Sequence, residues 1–176
     1  DISDEQLKFA KRLTNDANQA LHFIKPDIQN LDFLVDSKFD VVMSMFALEF
    51  IMDLYSFFQT CHRLLIDNGF VVLSTVHPLA DFEWDNQLQG ILVKDYINLP
   101  VEIWGPKDLS STPTAKTIFR TIEKIFTTIS KVGFEVKSLL EPAPLPKHLR
   151  SESPYKGPYW EPYLERFKTI PFAVVI

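Results

Sequence analysis

Residues 39–78 have the sequence FDVVMSMFALEFIMDLYSFFQTCHRLLIDNGFVVLSTVHP, and this stretch decides the fold that we predict. The opening run FDVVMSM is rich in valine and too short for a helix, which is typical of a buried strand. Asn68-Gly69 suits a left-handed helix cap, and FVVLSTV predicts a second buried strand that ends at His77-Pro78. Strand, helix and strand in this order predict a βαβ unit with parallel strands. The helix is indicated by apolar residues at helical spacing, namely Leu54, Phe57, Phe58, Cys61, Leu64 and Leu65.

The flanking sequence predicts further helices and strands. Ser3 followed by Gln6 is a capping-box pattern, and it indicates a first helix that extends to about Asn18. A helix marked by apolar residues from Ile118 to Val132 is expected to end at Gly133. Short strands are predicted at Leu21–Ile24, Phe134–Leu140 and Ile170–Ile176.

Length and composition limit the class of protein. The 176 residues fit a single domain, 1–176, and the net charge of -5 argues against a general nucleic-acid binder. No apolar run is long enough to span a membrane, and no signal peptide is apparent. Cys61 is the single cysteine and lies on the apolar face of the predicted helix, so we expect a core residue in a cytoplasmic protein.

Residues 79–117 break the alternation of strands and helices. The segment contains several prolines and the aromatic residues Trp84, Tyr96 and Trp104. Because it is longer than an ordinary connection, we expect an insertion that acts as a lid or a binding element.

The order of these motifs resembles the class I S-adenosylmethionine-dependent methyltransferases of the type 11/12 kind. DISDEQLKFAK is similar to the end of the family's second strand with its helix, and PDIQNL to the acidic turn after the third. FDVVMSMFALEFIMD and HRLLIDNGFVVLSTVHP resemble the fourth and fifth strands, and KVGFEVKSLLEPAP and IPFAVVI the last two. The resemblance implies a three-layer, Rossmann-like α/β fold whose sheet is mostly parallel with an antiparallel last strand.

One part of the family pattern has no counterpart in these residues. The family's first strand and glycine-rich loop would lie before Asp1, and the glycines present form no Gly-x-Gly motif. We therefore expect the sequence to be incomplete at its N-terminus, and methyl transfer to require the upstream loop.

The resemblance implies S-adenosylmethionine as the cofactor and assigns it a set of contacts. Asp1 would accept hydrogen bonds from the ribose hydroxyls, and Ile2 would pack on the adenine. Asp27 would bind the adenine amino group, and the Ile28 N–H a ring nitrogen. The methionine and sulfonium side would be lined by Ser44, Met45 and Phe46.

Side chains near the predicted site are candidates for acceptor chemistry. Glu49 and His77 are the candidate general bases, needed only if the acceptor must lose a proton. Each also has a structural alternative: Glu49 as a solvated acid at a helix start, and His77 as a cap of the strand end. Candidate substrate contacts are Tyr96, Trp104 and Arg120. The remaining histidines show no metal-ligand spacing, so no metal site is expected.

The predicted function is methyl transfer to a small molecule, without nucleic-acid or membrane partners. The first alternative is a non-catalytic, methyltransferase-like subunit or truncated relative that binds a partner. A Rossmann-type oxidoreductase is disfavoured, because the GFEVKSLLEP and IPFAVVI segments resemble the methyltransferase hairpin. The acceptor, the atom methylated and the oligomeric state, a homodimer among the options, stay open.

Overall fold

The computed structural model describes residues 3–16, 21–25, 31–36, 38–104, 115–146 and 161–176. The helices are α1 (Asp4–Asp16), α2 (Leu54–Leu64), α3 (Ile122–Val132) and α4 (Glu161–Thr169). The strands are β1 (Phe39–Met45), β2 (Leu65–Val76), β3 (Trp84–Asp85), β4 (Gly90–Ile91), β5 (Val101–Trp104), β6 (Ala115–Ile118) and β7 (Ala173–Val175).

The predicted βαβ unit is present. Strands β1 and β2 pair in parallel, up to the pair Met45 and Ser74, with α2 between them in the chain. Strand β7 pairs antiparallel with β2, which gives the order β1-β2-β7 in a three-stranded sheet of the described residues. The parallel pair and the antiparallel last strand confirm the predicted sheet.

Helices α2 and α3 provide the core that covers one face of this sheet. Phe58 of α2, Leu73 of β2 and Ile125 of α3 belong to one buried cluster, against which Val42 and Val71 pack. Burial of each large side chain stabilises the fold by about 1.5–3 kcal/mol. The predicted apolar face of the helix is confirmed, since all its residues are buried: Leu54, Phe57, Phe58, Cys61, Leu64 and Leu65.

The prediction that the first strand is buried is wrong for most of its side chains, because only Ser44 is buried and five of the seven residues are exposed. Val41, Met43 and Met45 are exposed, Met43 to 66%. Side chains alternate between the two faces of a strand, so these residues point away from α2 and α3. The described residues therefore leave an apolar surface on the second face of β1.

Asn68-Gly69 does not cap α2, because the helix ends at Leu64 and β2 begins directly. Asn68 does adopt a left-handed conformation, with φ of 62°, but it lies inside β2 beside a register shift against β1. A Cβ at Gly69 would lie 2.9 Å from Leu65 Cδ2 and 3.1 Å from the Asp40 carbonyl oxygen. The glycine is thus required by close packing within the bulged strand pair.

Other predicted boundaries need correction. Leu21–Ile24 is not a strand, and the extended Phe134–Leu140 segment pairs with β7 only at Leu140. Ile118 belongs to β6, because α3 begins at Ile122. Gly133 ends α3 with φ of 104°, as predicted.

Candidate functional site

The carboxyl ends of β1 and β2 lie side by side, and each strand is followed by a short 3₁₀ turn. The first turn is Leu48–Phe50, and the second is Pro78–Asp81. Ligands of open α/β sheets bind beyond the carboxyl ends of the strands. The two turns therefore border the candidate site.

Ser44, Met45 and Phe46, the predicted methionine-side residues, lie at this edge. Phe46 has φ of 49°, and its N–H donates to the Ser74 carbonyl oxygen at 2.9 Å. A bulky residue rarely adopts positive φ, and such residues cluster at functional sites. Met45 and Phe46 are exposed, whereas the Ser44 hydroxyl is buried and has no hydrogen-bond partner among the described residues. Their contact with a cofactor stays a prediction.

Glu49 in the first turn connects that turn to the end of β2. Its side chain is buried, so the alternative of a solvated acid is wrong. Oε1 accepts hydrogen bonds from Thr75 Oγ1 at 2.7 Å and from the Val76 N–H. Oε2 is buried and has no hydrogen-bond partner within the described part of the chain.

His77 follows β2 and caps the second turn. It is 2% exposed, and its Nδ1 accepts a hydrogen bond from the Leu79 N–H at 3.0 Å. In a neutral ring Nε2 then carries the proton and donates to Glu141 Oε1 at 2.8 Å. Both ring nitrogens are engaged in this arrangement. The capping alternative is present in the structure, and a role as general base stays a prediction.

Glu141 is a further candidate site residue, which was not predicted from the sequence. Its side chain is 46% exposed, and its contact with buried His77 places it at the same edge of the sheet. Its position directly after an extended segment that resembles a strand was a signal that could have identified it.

The predicted substrate contact Arg120 is bonded to backbone oxygens. Nη1 donates to the Leu48 carbonyl at 2.9 Å and to the Ile118 carbonyl at 3.2 Å, and Nη2 donates to the Ile51 carbonyl. Burial lowers the pKa of Arg120, and the charge of Glu49 partly offsets this effect. A direct substrate contact by Arg120 stays a prediction, which these bonds do not favour.

Arg166 of α4 makes a similar set of bonds to the second turn. Its Nη2 donates to the carbonyl oxygens of Ala80 and of Phe82, the latter at 2.6 Å. Burial raises the pKa of the neighbouring Asp81, while a hydrogen bond with Glu102 and the charge of Arg166 lower it. Arg166 was not predicted from the sequence, because nothing in its local pattern separates it from a surface arginine of an amphipathic helix.

Several predicted residues cannot be placed. Asp1, Ile2, Asp27 and Ile28 lie outside the described residues, as does the side chain of Trp104. Tyr96 lies in the segment that connects β4 to β5 in the chain, and it is half-buried. In the described ranges no three His, Cys, Asp or Glu residues are grouped so that they could hold a metal ion. No helix in the part of the chain that the structure describes has the length and apolarity to cross a membrane.

A cavity of about 670 Å³ lies away from this edge. It is lined by Asn68 and Gly69 of β2 and by residues of the extended Phe134–Leu140 segment. Because that segment pairs with β7 only at Leu140, a gap remains beside the amino-terminal part of β2. The cavity and the candidate site are therefore at different places on the sheet.

Comparisons with known proteins agree with this fold. A family model described as a methyltransferase domain matches residues 1–73. The structure of a candidate S-adenosylmethionine-dependent methyltransferase from Listeria monocytogenes has a TM-score of 0.74 and 20% identity, over 100% of this chain and 76% of that chain. A methyltransferase with the same cofactor dependence from Mesorhizobium loti has a TM-score of 0.73 and 22% identity, over 99% and 76% of the two chains.

A third S-adenosylmethionine-dependent methyltransferase, from Clostridium acetobutylicum, has a TM-score of 0.59 and 14% identity, over 99% of this chain and 71% of that chain. A comparison with curated proteins gave no significant match. The chain therefore has the α/β fold of the class I S-adenosylmethionine-dependent methyltransferases, and its residues 1–73 match the model of a methyltransferase domain.

Proposed function

We propose that this protein binds S-adenosylmethionine at the carboxyl ends of β1 and β2 and transfers its methyl group to a small-molecule acceptor. The observation that carries the proposal is the group Ser44, Met45 and Phe46, which forms the carboxyl end of β1 and the residue after it, at the edge where ligands of this kind of sheet bind. The similarity to S-adenosylmethionine-dependent methyltransferases adds support for the cofactor.

The residues at this edge suit the methionine end of the cofactor. Met45 and Phe46 offer exposed apolar surface, and the buried Ser44 hydroxyl lacks a partner among the described residues. The carboxylate of Glu49 adds negative charge, which favours a cation nearby. The bound cofactor would supply an electrophilic methyl group on a positively charged sulfur.

The acceptor would lie over the second turn. Methyl transfer by displacement depends mainly on alignment, so the protein's main task is to hold the acceptor in line. Glu141 offers a half-exposed carboxylate that His77 orients, and it can accept a hydrogen bond from an acceptor hydroxyl or amine. Tyr96 and Trp104 remain further candidates for contacts with the acceptor.

The predicted insertion, residues 79–117, is proposed to cover the acceptor. Strand β6 contacts the first turn, and Glu102 of β5 makes a hydrogen bond with Asp81 of the second turn. The β5–β6 hairpin thus contacts both turns, as a lid over the site would.

The acidic net charge favours a small acceptor over nucleic acid, and the lone cysteine favours a cytoplasmic location.

The function is tested with methyl-labelled S-adenosylmethionine and the full-length protein. Panels of small amines, phenols and carboxylic acids are compared with RNA and with protein as acceptors, and the demethylated cofactor is quantified. Turnover with a small molecule supports the proposal. Label transferred only to a macromolecule would contradict the acceptor class, and cofactor binding without any turnover would favour the non-catalytic, partner-binding alternative.

The place of binding is tested with two matched variants. Phe46→Lys puts a positive charge at the proposed sulfonium side, whereas Phe126→Lys puts one on the outer surface of α3. The two phenylalanines are 42% and 44% exposed, so the substitutions are comparable. We expect Phe46→Lys to weaken S-adenosylmethionine binding by about tenfold or more, and Phe126→Lys to change it by less than about twofold. Equal effects would contradict the proposed location.

A further inference from the structure

At each 3₁₀ turn of the site, backbone carbonyl groups accept hydrogen bonds from outside the turn, and the Leu48 carbonyl does so in addition to its bond from the Ile51 N–H. In both turns a distant arginine donates these hydrogen bonds. Arg120 donates to Leu48 and Ile51 around the first turn, from 72 and 69 residues away in sequence. Arg166 donates to Ala80 and Phe82 around the second turn, from 86 and 84 residues away. On each of the two sides of the site, an arginine therefore binds the backbone carbonyls of the turn.

Arginine is chemically suited to this use. Its guanidinium is planar, remains charged and carries five N–H donors in a fixed fork, so it can bind several successive carbonyl oxygens at once. A lysine ammonium carries a compact charge on a flexible stem, and it fixes such a set of oxygens less precisely. Each arginine thus defines the path of the backbone that it binds.

The two arginines come from different elements. Arg120 lies between β6 and α3, and it holds the turn that follows Phe46. Arg166 lies in α4, and it holds the turn that follows His77, whose ring bonds Glu141. Loss of one set of bonds therefore leaves the other set in place.

We propose that Arg120 and Arg166 are positioning residues that set the two sides of the site separately. Arg120 fixes the turn beside the cofactor's methionine end, and Arg166 fixes the turn on the acceptor side. This inference rests on the proposed function, since it takes the methionine end to bind at Ser44–Phe46.

A purely stabilising role makes a different prediction. Each arginine satisfies backbone carbonyls of a 3₁₀ turn, so replacement of either is expected to lower the free energy of unfolding by a similar amount. A stabilising role alone would leave the cofactor affinity of both folded variants alike. A positioning role separates them, because only the first turn borders the cofactor.

The test measures binding of S-adenosylhomocysteine, the demethylated cofactor, by calorimetry to the full-length protein and to four variants. These are Arg120→Ala, Arg120→Lys, Arg166→Ala and Arg166→Lys, and urea unfolding of each reports its stability. We expect Arg120→Ala to weaken binding by about tenfold or more, with Arg120→Lys intermediate. The Arg166 variants are expected to bind within about twofold of the wild type.

The outcomes separate this inference from the proposed function. Suppose that the wild type binds S-adenosylhomocysteine. If Arg120→Ala and Arg166→Ala then lose affinity equally, the inference is wrong and the proposed function stands. The same conclusion follows if Arg120→Ala binds as tightly as the wild type. If the wild type does not bind, both are wrong. If Arg120→Ala fails to fold, the affinity of Arg120→Lys is the test, because this variant keeps the charge. Wild-type affinity in Arg120→Lys would overturn the inference.

Discussion

Replacement of Glu49 tests the contacts that join the two strand ends. Glu49 is 4% exposed, and its Oε1 accepts hydrogen bonds from Thr75 Oγ1 and from the Val76 N–H. Glu49→Gln keeps the size of the side chain and one acceptor oxygen but removes the charge. Glu49→Ala removes the acceptor altogether and leaves the two donors without their partner, while Arg120 keeps its bonds to backbone carbonyls.

The magnitude follows from the number and kind of bonds lost. Hydrogen bonds to charged groups contribute about 1.5–3 kcal/mol each, and those between neutral groups about 1 kcal/mol. We therefore expect Glu49→Gln to lower the free energy of unfolding by about 1–3 kcal/mol. Glu49→Ala should cost about 2–6 kcal/mol, because each of the two donors that it leaves unsatisfied costs about 1–3 kcal/mol.

The assay is urea unfolding followed by circular dichroism, with Glu123→Gln as the control. Glu123 is an exposed acid in the first turn of α3, so its replacement should change stability by less than about 0.5 kcal/mol. A double-mutant cycle with Thr75→Val isolates the shared hydrogen bond. A Glu49→Gln variant as stable as the wild type would contradict a stabilising role for the Glu49 charge.

Three further predictions concern single residues. Gly69→Ala should destabilise the protein by about 1–3 kcal/mol in urea unfolding, because the new Cβ would clash with Leu65 and two carbonyl oxygens. Gly90→Ala is the control and should be tolerated, since the nearest atom to a Cβ at that position is 3.8 Å away. Burial raises the pKa of Cys61 to about 12, so the native thiol should resist iodoacetamide at pH 8 and react only after unfolding; rapid native labelling would contradict its burial. Burial raises the pKa of Asp81 above its ordinary value of 3.8, so the folded state holds the proton more tightly, and the free energy of unfolding should fall as pH rises from 3.8 through the raised pKa. Asp81→Asn should lose this part of the pH dependence in unfolding experiments, and an unchanged profile would contradict the assignment.

The local pattern of apolar residues predicted the helix and the two strands of the βαβ unit. The spacing from Leu54 to Leu65 gave the buried face of α2, and the valine-rich runs gave β1 and β2. Asn68-Gly69 was assigned to the wrong role, because a helix cap and a strand bulge both require a residue that tolerates positive φ. Sequence alone does not distinguish the two.

Only the position of the candidate site could be predicted from the sequence. The resemblance assigned Ser44–Phe46, and the pattern of the second strand ended at His77; the structure has these residues at the carboxyl ends of β1 and β2. The bonds of Arg120 and Arg166 join residues about as far apart in sequence as half the chain, and no local pattern reports such contacts. Burial of Glu49 likewise depends on the neighbouring strand, so an exposed helix-start acid was an equally valid expectation.

The most direct test of the proposed cofactor site is hydrogen–deuterium exchange of the full-length protein with and without S-adenosylmethionine. We predict slower exchange in the peptides that contain Ser44–Phe46 and the first 3₁₀ turn, and no change in Phe134–Leu140 beside the separate cavity. Protection confined to Phe134–Leu140, or no protection at saturating cofactor, would contradict the central claim that the cofactor binds at the carboxyl ends of β1 and β2.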